Sequence, residues 1–181
     1  TGTVVSPPIM TGWDGTCIPA RLAQFGPLIF VDNDVNAMAL GECTFGAGRT
    51  YQNAVFVTLG TGVGGGLLIN NQLYRGAHSM AGEIGHVSID RNGVQSPTGF
   101  GGVEQYVGNR RIVEYIIKQL ESGRTSLMDT LVKGDRGQLS PKVLKDAADQ
   151  GDALAVEILD YVTDCLATAF ASITYVLQPQ A

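Results

Sequence analysis

Residues 54–71 read AVFVTLGTGVGGGLLINN. An apolar run, Val55 to Leu59, leads into five glycines (Gly60, Gly62, Gly64, Gly65 and Gly66), then Leu67-Leu68-Ile69 and Asn70-Asn71. The apolar runs read as strands and the asparagine pair as a turn, with Leu73 and Tyr74 in the next short strand. Three phosphate-binding readings compete for the glycines. Gly60-x-Gly62-x-x-Gly65 fits a dinucleotide fingerprint, but that motif needs a helix directly behind it, and a strand follows here. A Walker loop needs a Lys before Ser or Thr, and none is present. The third reading is a β-hairpin whose turn, Gly60-Thr61-Gly62, offers bare backbone N–H groups to a phosphate, with the Thr61 hydroxyl beside them. A plain flexible turn fits the same glycines, so the stretch alone leaves the matter open.

Its neighbours add chemistry. VDNDVNAMALGE (31–42) sets Asn33 and Asp34 behind an apolar strand candidate, Leu28–Val31, and at the start of a helix. Either residue suits an N-cap. A carboxylate there also suits a general base, because the positive end of the helix favours the carboxylate form. AGEIGHV (81–87) supplies Glu83 and His86, and GGVEQY (101–106) supplies Glu104. Carboxylate, amide and imidazole groups on tight loops are what a hydroxyl-rich sugar requires. Each of these residues, taken singly, is also compatible with a purely structural role.

The chain has 181 residues, 44% hydrophobic and 16% charged, which is ordinary globular composition. Net charge is −5, and no Lys/Arg run exceeds Arg110-Arg111. That argues against a nucleic-acid surface, although backbone amides can still hold a small anion. Cys17, Cys43 and Cys165 lack paired metal-ligand spacing and read as reduced thiols of a cytoplasmic protein. No apolar run is long enough to span a bilayer and no signal peptide is evident, so no membrane partner is expected. Thr3–Val5, closed by Ser6-Pro7-Pro8, reads as a short strand, Ile18–Phe25 as a short helix and Gly46–Arg49 as a linker. The stretch 76–102 shows little regular pattern. Helices are expected over 109–121, 126–132, from Ser140-Pro141 onward, and over 152–177. In the last of these, Leu159, Val162, Leu166, Phe170, Ile173 and Leu177 form one apolar stripe. Strands first and helices later give an α/β protein with an added helical layer.

Together these pieces resemble the ROK family, a bacterial group of sugar kinases and sugar-responsive repressors. The resemblance rests on Leu59-Gly60-Thr61-Gly62-Val63-Gly64-Gly65-Gly66-Leu67, then Gly76, then Gly82-Glu83-Ile84-Gly85-His86. The Asn33-Asp34 helix start with Ala37 to Glu42, the opening Thr1-Gly2-x-Val4 with Gly12-Trp13, and Leu177-Gln178-Pro179 match as well. The resemblance implies an actin-like ATPase (ribonuclease H-like) fold. Residues 1–46 would be the C-terminal part of a small domain and 47–181 most of a large sugar- and nucleotide-binding domain, with a hinge near Gly46. It implies Asp34 as catalytic base toward a hexose 6-hydroxyl, and Asn33, Glu83, His86 and Glu104 as sugar-binding residues. Gly60, Thr61, Gly62 and Gly64 would hold phosphate. ATP and Mg²⁺ are the implied donor and ion, glucose the first choice of sugar, and a homodimer the implied assembly. A glucokinase leads. A sugar-sensing repressor, an N-acetylhexosamine kinase and a polyphosphate-dependent kinase are the alternatives.

Two departures from the family pattern stand out. The family's zinc site joins the His of Gly-His to three cysteines in Cys-x-Cys-Gly-x-x-Gly-Cys. The matching stretch here is GVQSPTGFGG (93–102), without a cysteine, so zinc is not expected. The metal's task of orienting His86 would fall to the glycine-rich loop and Glu104. The chain also lacks the family's N-terminal Asp-x-Gly-Gly-Thr loop and its C-terminal Gly-Gly segment. A piece of a longer protein, inactive alone, is therefore expected.

Overall fold

The computed structural model describes residues 2–5, 10–26 and 28–181. The glycine-rich stretch builds its centre. Strands β1 (Ala54–Leu59), β2 (Val63–Ile69) and β3 (Gln72–Tyr74) form an antiparallel sheet in the order β1-β2-β3. Thr58 pairs with Gly64, Leu59 with Val63, and Leu68 with Leu73. Asn70 and Asn71, at φ 52° and 62°, form the β2–β3 turn, a conformation asparagine tolerates well. Strand β2 starts at Val63, four residues before the expected Leu67, so Gly64, Gly65 and Gly66 lie inside it.

Those glycines let other elements touch the strand. Successive residues of a strand face opposite ways. A Cβ at Gly64 would stand 2.5 Å from Val35 Cγ2, and one at Gly66 would stand 2.8 Å from Ala39 Cβ. Helix α1 is the short Ile18–Leu22, and both neighbours belong to helix α2 (Asp34–Phe45). On the opposite face, a Cβ at Gly65 would collide with the Gly82 carbonyl and Ile84. Gly60, in contrast, has nothing within 4 Å of its Cβ position. Most of this glycine content therefore serves packing, and only Gly60 at the hairpin tip is open.

The helical layer has two cores. Helices α4 (Asn109–Glu121), α5 (Leu127–Leu131), α6 (Pro141–Ala148) and the first half of α7 (Ala153–Leu177) enclose Ile112, Ile116, Met128, Leu144, Leu154 and Ile158. The second core lies under the sheet. It joins Val63 and Ile84 to Val103, to Val107 of the short helix α3 (Glu104–Val107), and to Cys165 and Ala169 of α7. Because α7 serves both cores, its buried face runs through Leu154, Ala155, Ile158, Cys165 and Ala169. The stripe read from the sequence is only half-buried, and Phe170 is exposed at 38%.

Three other expectations need correction. Leu28–Val31 forms no strand. Leu28 and Phe30 are 75% and 89% exposed, and no sheet edge among the described residues pairs with them. Thr3 makes only an isolated bridge to Cys17, and Ser6-Pro7-Pro8 lie outside the described residues. The stretch read as a linker is a 3₁₀ turn, Ala47–Thr50, whose Ala47 N–H donates to Glu42 Oε2 at 2.9 Å.

Asp152 joins the helices electrostatically. Its Oδ1 accepts from Ala155 N at 2.8 Å and from the Ser126 hydroxyl at 2.9 Å, and its Oδ2 accepts from Leu127 N at 2.8 Å. Burial pushes its carboxyl up, but these donors outweigh burial and hold it below the usual carboxylate value. Asp152→Ala removes a cap and an interhelix brace together. It is expected to lower stability by about 1–2 kcal/mol, read as a lower urea midpoint at unchanged slope. Gly65→Ala overpacks a backbone contact and should cost about 1–3 kcal/mol. Gly60→Ala should stay within about 0.5 kcal/mol of the parent. Thermal melts of the two variants side by side check the contrast.

Candidate functional site

The N-terminus of α2 is built by its first residues. Asn33 is the N-cap: its Oδ1 accepts from Val35 N at 2.9 Å and Asn36 N at 3.1 Å. Asp34 opens the helix, with Oδ1 accepting from Val35 N at 3.0 Å. Behind them, Asp32 Oδ1 accepts from Asn33 N at 2.9 Å and Asn36 Nδ2 at 3.3 Å. Its Oδ2 takes Nε and Nη2 of Arg75, at 2.8 and 2.6 Å. The Arg75 guanidinium holds the Asp32 carboxyl below its ordinary value. Slight burial opposes this and the Asn33 amide adds to it. The ion pair thus ties the end of β3 to the segment carrying Asn33 and Asp34.

The hairpin tip is held from the other side. Gly60 N–H donates to Gly62 O at 2.9 Å and closes the turn. Asn109 N–H, at the start of α4, donates to Gly60 O at 2.9 Å. Glu104, first residue of α3, accepts Val63 N–H on Oε2 at 2.9 Å. A Cβ at Gly62 would collide with that carboxylate. Among the described residues, nothing accepts from the Thr61 or Gly62 N–H. These two amides and the Thr61 hydroxyl are what the turn presents.

A 3₁₀ turn, Ile84–His86, follows Glu83. Buried Ile84 anchors it, and the Glu83 and His86 side chains remain about half exposed, with Nε2 3.9 Å from Oε2. A cleft of about 390 Å³ gathers Asn33, Asp34, Gly60, Thr61, Gly62, Gly64, Glu83 and Glu104. His86 lies beside it, lining an adjoining hollow with Ser88, Ser96, Thr98 and Phe100. The sequence reading thus assembles eight of its nine site residues in one cleft, with the ninth at its margin. It missed Asp32, Arg75 and Thr98. Asp32 stands beside the Asn33-Asp34 pair, but its partner is 43 residues away, and no local pattern announces such a pair.

The stretch 93–102 folds as a small hairpin, β4 (Gln95–Ser96) and β5 (Gly99–Phe100). The groups it turns toward His86 are hydroxyls, and Thr98 Oγ1 lies 3.0 Å from His86 Nδ1. Hydroxyls in place of thiolates do not fit zinc, and no cluster of three His, Cys, Asp or Glu side chains placed to hold a metal occurs among the described residues. The hairpin turn fits an anion differently: two open amides meet no Cβ at Gly60, and the cleft lining carries no Lys or Arg.

A hairpin tip of Gly60, Thr61 and Gly62 thus shares one polar cleft with the carboxylate that opens α2, a candidate small-molecule site beside the sheet. The model of the ROK family matches residues 1–181, and the chain belongs to that family. It is 33% identical over 180 residues to a glucokinase of Thermotoga maritima (strain MSB8), covering 99% of this chain and 57% of that protein. Among solved structures, it shares its fold with a ROK family glucokinase from Streptomyces griseus in complex with glucose and AMPPNP. There the TM-score is 0.79 at 31% identity, covering 93% of this chain and 55% of the other. It also matches a ROK family transcriptional regulator homologous to the E. coli MLC protein, at TM-score 0.80 and 27% identity, covering 92% and 41%. The chain spans about half the length of the curated relatives it matches. No helix among the described residues is long and apolar enough to cross a membrane.

The Asp32–Arg75 brace yields a pH prediction. A depressed carboxyl adds stability that is complete above the unfolded value and is lost as pH falls through the folded one. Arg75→Met should therefore cost about 0.5–1 kcal/mol at neutral pH, the pair being partly exposed. The difference from the parent should close as pH drops below about 4. Thermal melts of both proteins across that range check it.

Proposed function

We propose that this chain supplies the sugar side of the active site, and one phosphate loop, of an ATP-dependent hexose kinase, with glucose as the leading substrate. One observation supports this reading above the others: Asp34, at the start of α2, and the open amides of the 60–62 turn line the same cleft. Asp34 takes the proton as the sugar 6-hydroxyl oxygen bonds to the γ-phosphorus of ATP. The bond from that phosphorus to the β–γ bridging oxygen breaks, and ADP leaves. Catalysis of this kind is mostly positioning and charge stabilisation. Asn33, Glu83, His86 and Glu104 orient the sugar. The Asn33 oxygen already caps α2, so its amide N–H₂ is the part free to donate. Glu104 already holds Val63 N–H on one oxygen, which leaves the other. Mg²⁺, when bound with ATP, supplies the charge neutralisation that the cleft lining, without Lys or Arg, does not.

A second reading is a sugar-sensing ROK regulator, favoured by the similarity to the solved transcriptional regulator. In that case the same cleft binds sugar without turning it over.

The test is an ATP-dependent phosphorylation assay of the full-length gene product on a panel of hexoses and N-acetylhexosamines. Asp34→Asn should lower kcat by about 10²–10⁴-fold while sugar binding persists. Sugar binding without turnover in the parent protein would sink the kinase reading in favour of the regulator.

A further inference from the structure

The hairpin 95–100 stands where the family's zinc cysteines would be, and its side chains do something specific. Its register, Ser96 opposite Gly99, makes Pro97 and Thr98 the two turn residues. Neighbouring backbone bonds fix the whole loop. Ile89 N–H donates to Gly101 O at 2.9 Å, Gly101 N–H to Val94 O at 2.9 Å, and Val103 N–H to Val87 O at 3.0 Å. The Ser88 hydroxyl donates to Phe100 O at 2.8 Å. The backbone therefore sets the position of Thr98.

Three contacts run in series from there. His86 Nδ1 lies 3.0 Å from Thr98 Oγ1, Thr98 Oγ1 lies 3.1 Å from Ser96 Oγ, and Ser96 Oγ lies 3.2 Å from Gly99 O. The last group is a carbonyl, which only accepts, so the Ser96 proton must point to it. Each hydroxyl has one proton. Ser96 Oγ must then accept from Thr98, and Thr98 Oγ1 must accept from His86. Only a proton on Nδ1 satisfies all three contacts at once. In the neutral ring the other nitrogen, Nε2, is then an acceptor. It lies 3.9 Å from Glu83 Oε2, too far for a bond, and the two acceptors side by side call for two donors from a ligand.

We propose that Thr98, backed by Ser96, is a positioning residue that fixes His86 as its Nδ1–H tautomer and aims Nε2 at a sugar hydroxyl. In this chain a hydroxyl relay does the orienting that the family pattern assigns to zinc. The inference rests on the reading of the cleft as a sugar site, and it concerns how His86 is held there. Ring orientation by a partner on the far nitrogen is a general device. Here the partner is neutral and metal-free.

The experiment uses the full-length protein with ¹⁵N-labelled histidine, the His86 signals being assigned by their loss in His86→Asn. The parent should show a protonated Nδ1 and an acceptor Nε2. Thr98→Ser should keep that signature, and Thr98→Val should lose it. In sugar titrations, Thr98→Val should weaken affinity on the order of tenfold, as for one lost hydrogen bond, while Thr98→Ser stays near the parent. Stoichiometric zinc that is lost in His86→Asn would overturn the proposal, as would a tautomer unchanged by Thr98→Val. If the tautomer responds but no sugar binds, the relay stands and the sugar-site reading fails.

Discussion

Strand β2 has no side chains over Gly64, Gly65 and Gly66, and both of its faces are pressed by other elements at a distance that excludes a Cβ. Helix α2 lies on one side through Val35 and Ala39, and the 82–84 segment lies on the other. Close contact of this kind leaves little play, because interiors packed at crystal-like density transmit small displacements. The same strand continues into the open turn at 60–62, so three components of the cleft are referenced to one piece of backbone. Each polar group also sits next to a buried anchor: Asp34 beside Val35, Glu83 beside Ile84, Glu104 beside Val103. The chemistry is thus one residue away from the packing, and positions that look like loop residues inherit the rigidity of a core.

The charge distribution narrows what the cleft can do. Asp34, Glu83 and Glu104 all face it, and no cationic side chain lines it. Arg75, which reaches the residue just before the Asn33-Asp34 pair, is spent on Asp32. An anionic ligand at the turn must then be held by backbone amides and accompanied by its own cation. That fits a nucleotide bound with a divalent ion better than a free phosphorylated sugar, which would meet three carboxylates. A neutral polyol meets no such objection. The charge of the lining therefore favours neutral or metal-neutralised ligands over a bare anion.

What the sequence makes legible follows from locality. The hairpin at 60–62, the Asn33 cap, the Asn70-Asn71 turn and the start of the helix at Ser140-Pro141 depend on a few adjacent residues, and the structure contains each. Glycines 64–66 were illegible as strand because glycine is intrinsically poor there, and what compensates is two elements distant in sequence. Leu28–Val31 shows the converse: an apolar run with strand propensity but no described edge to pair with. The stripe on α7 was displaced because a single helical period was read where the helix serves two cores in succession.

The zinc stretch combines both situations. The absence of cysteines between Cys43 and Cys165 is plain in the sequence and removes the thiolates at once. That Thr98 meets His86 is not plain, because it depends on a two-residue turn that only the backbone register reveals. Main-chain bonds between residues 87–89 and 101–103 hold this loop, helped by the Ser88 hydroxyl on Phe100 O and by the Tyr106 hydroxyl, which accepts Val94 N–H. A loop fixed at its base in that way lets the side chains at its tip be given to a neighbour. Glu104, which the sequence reading paired with His86, holds Val63 N–H on one oxygen and steadies the 60–62 turn. The two tasks that a metal-centred reading would merge are therefore divided: the backbone ladder holds the loop, and the hydroxyls orient the imidazole.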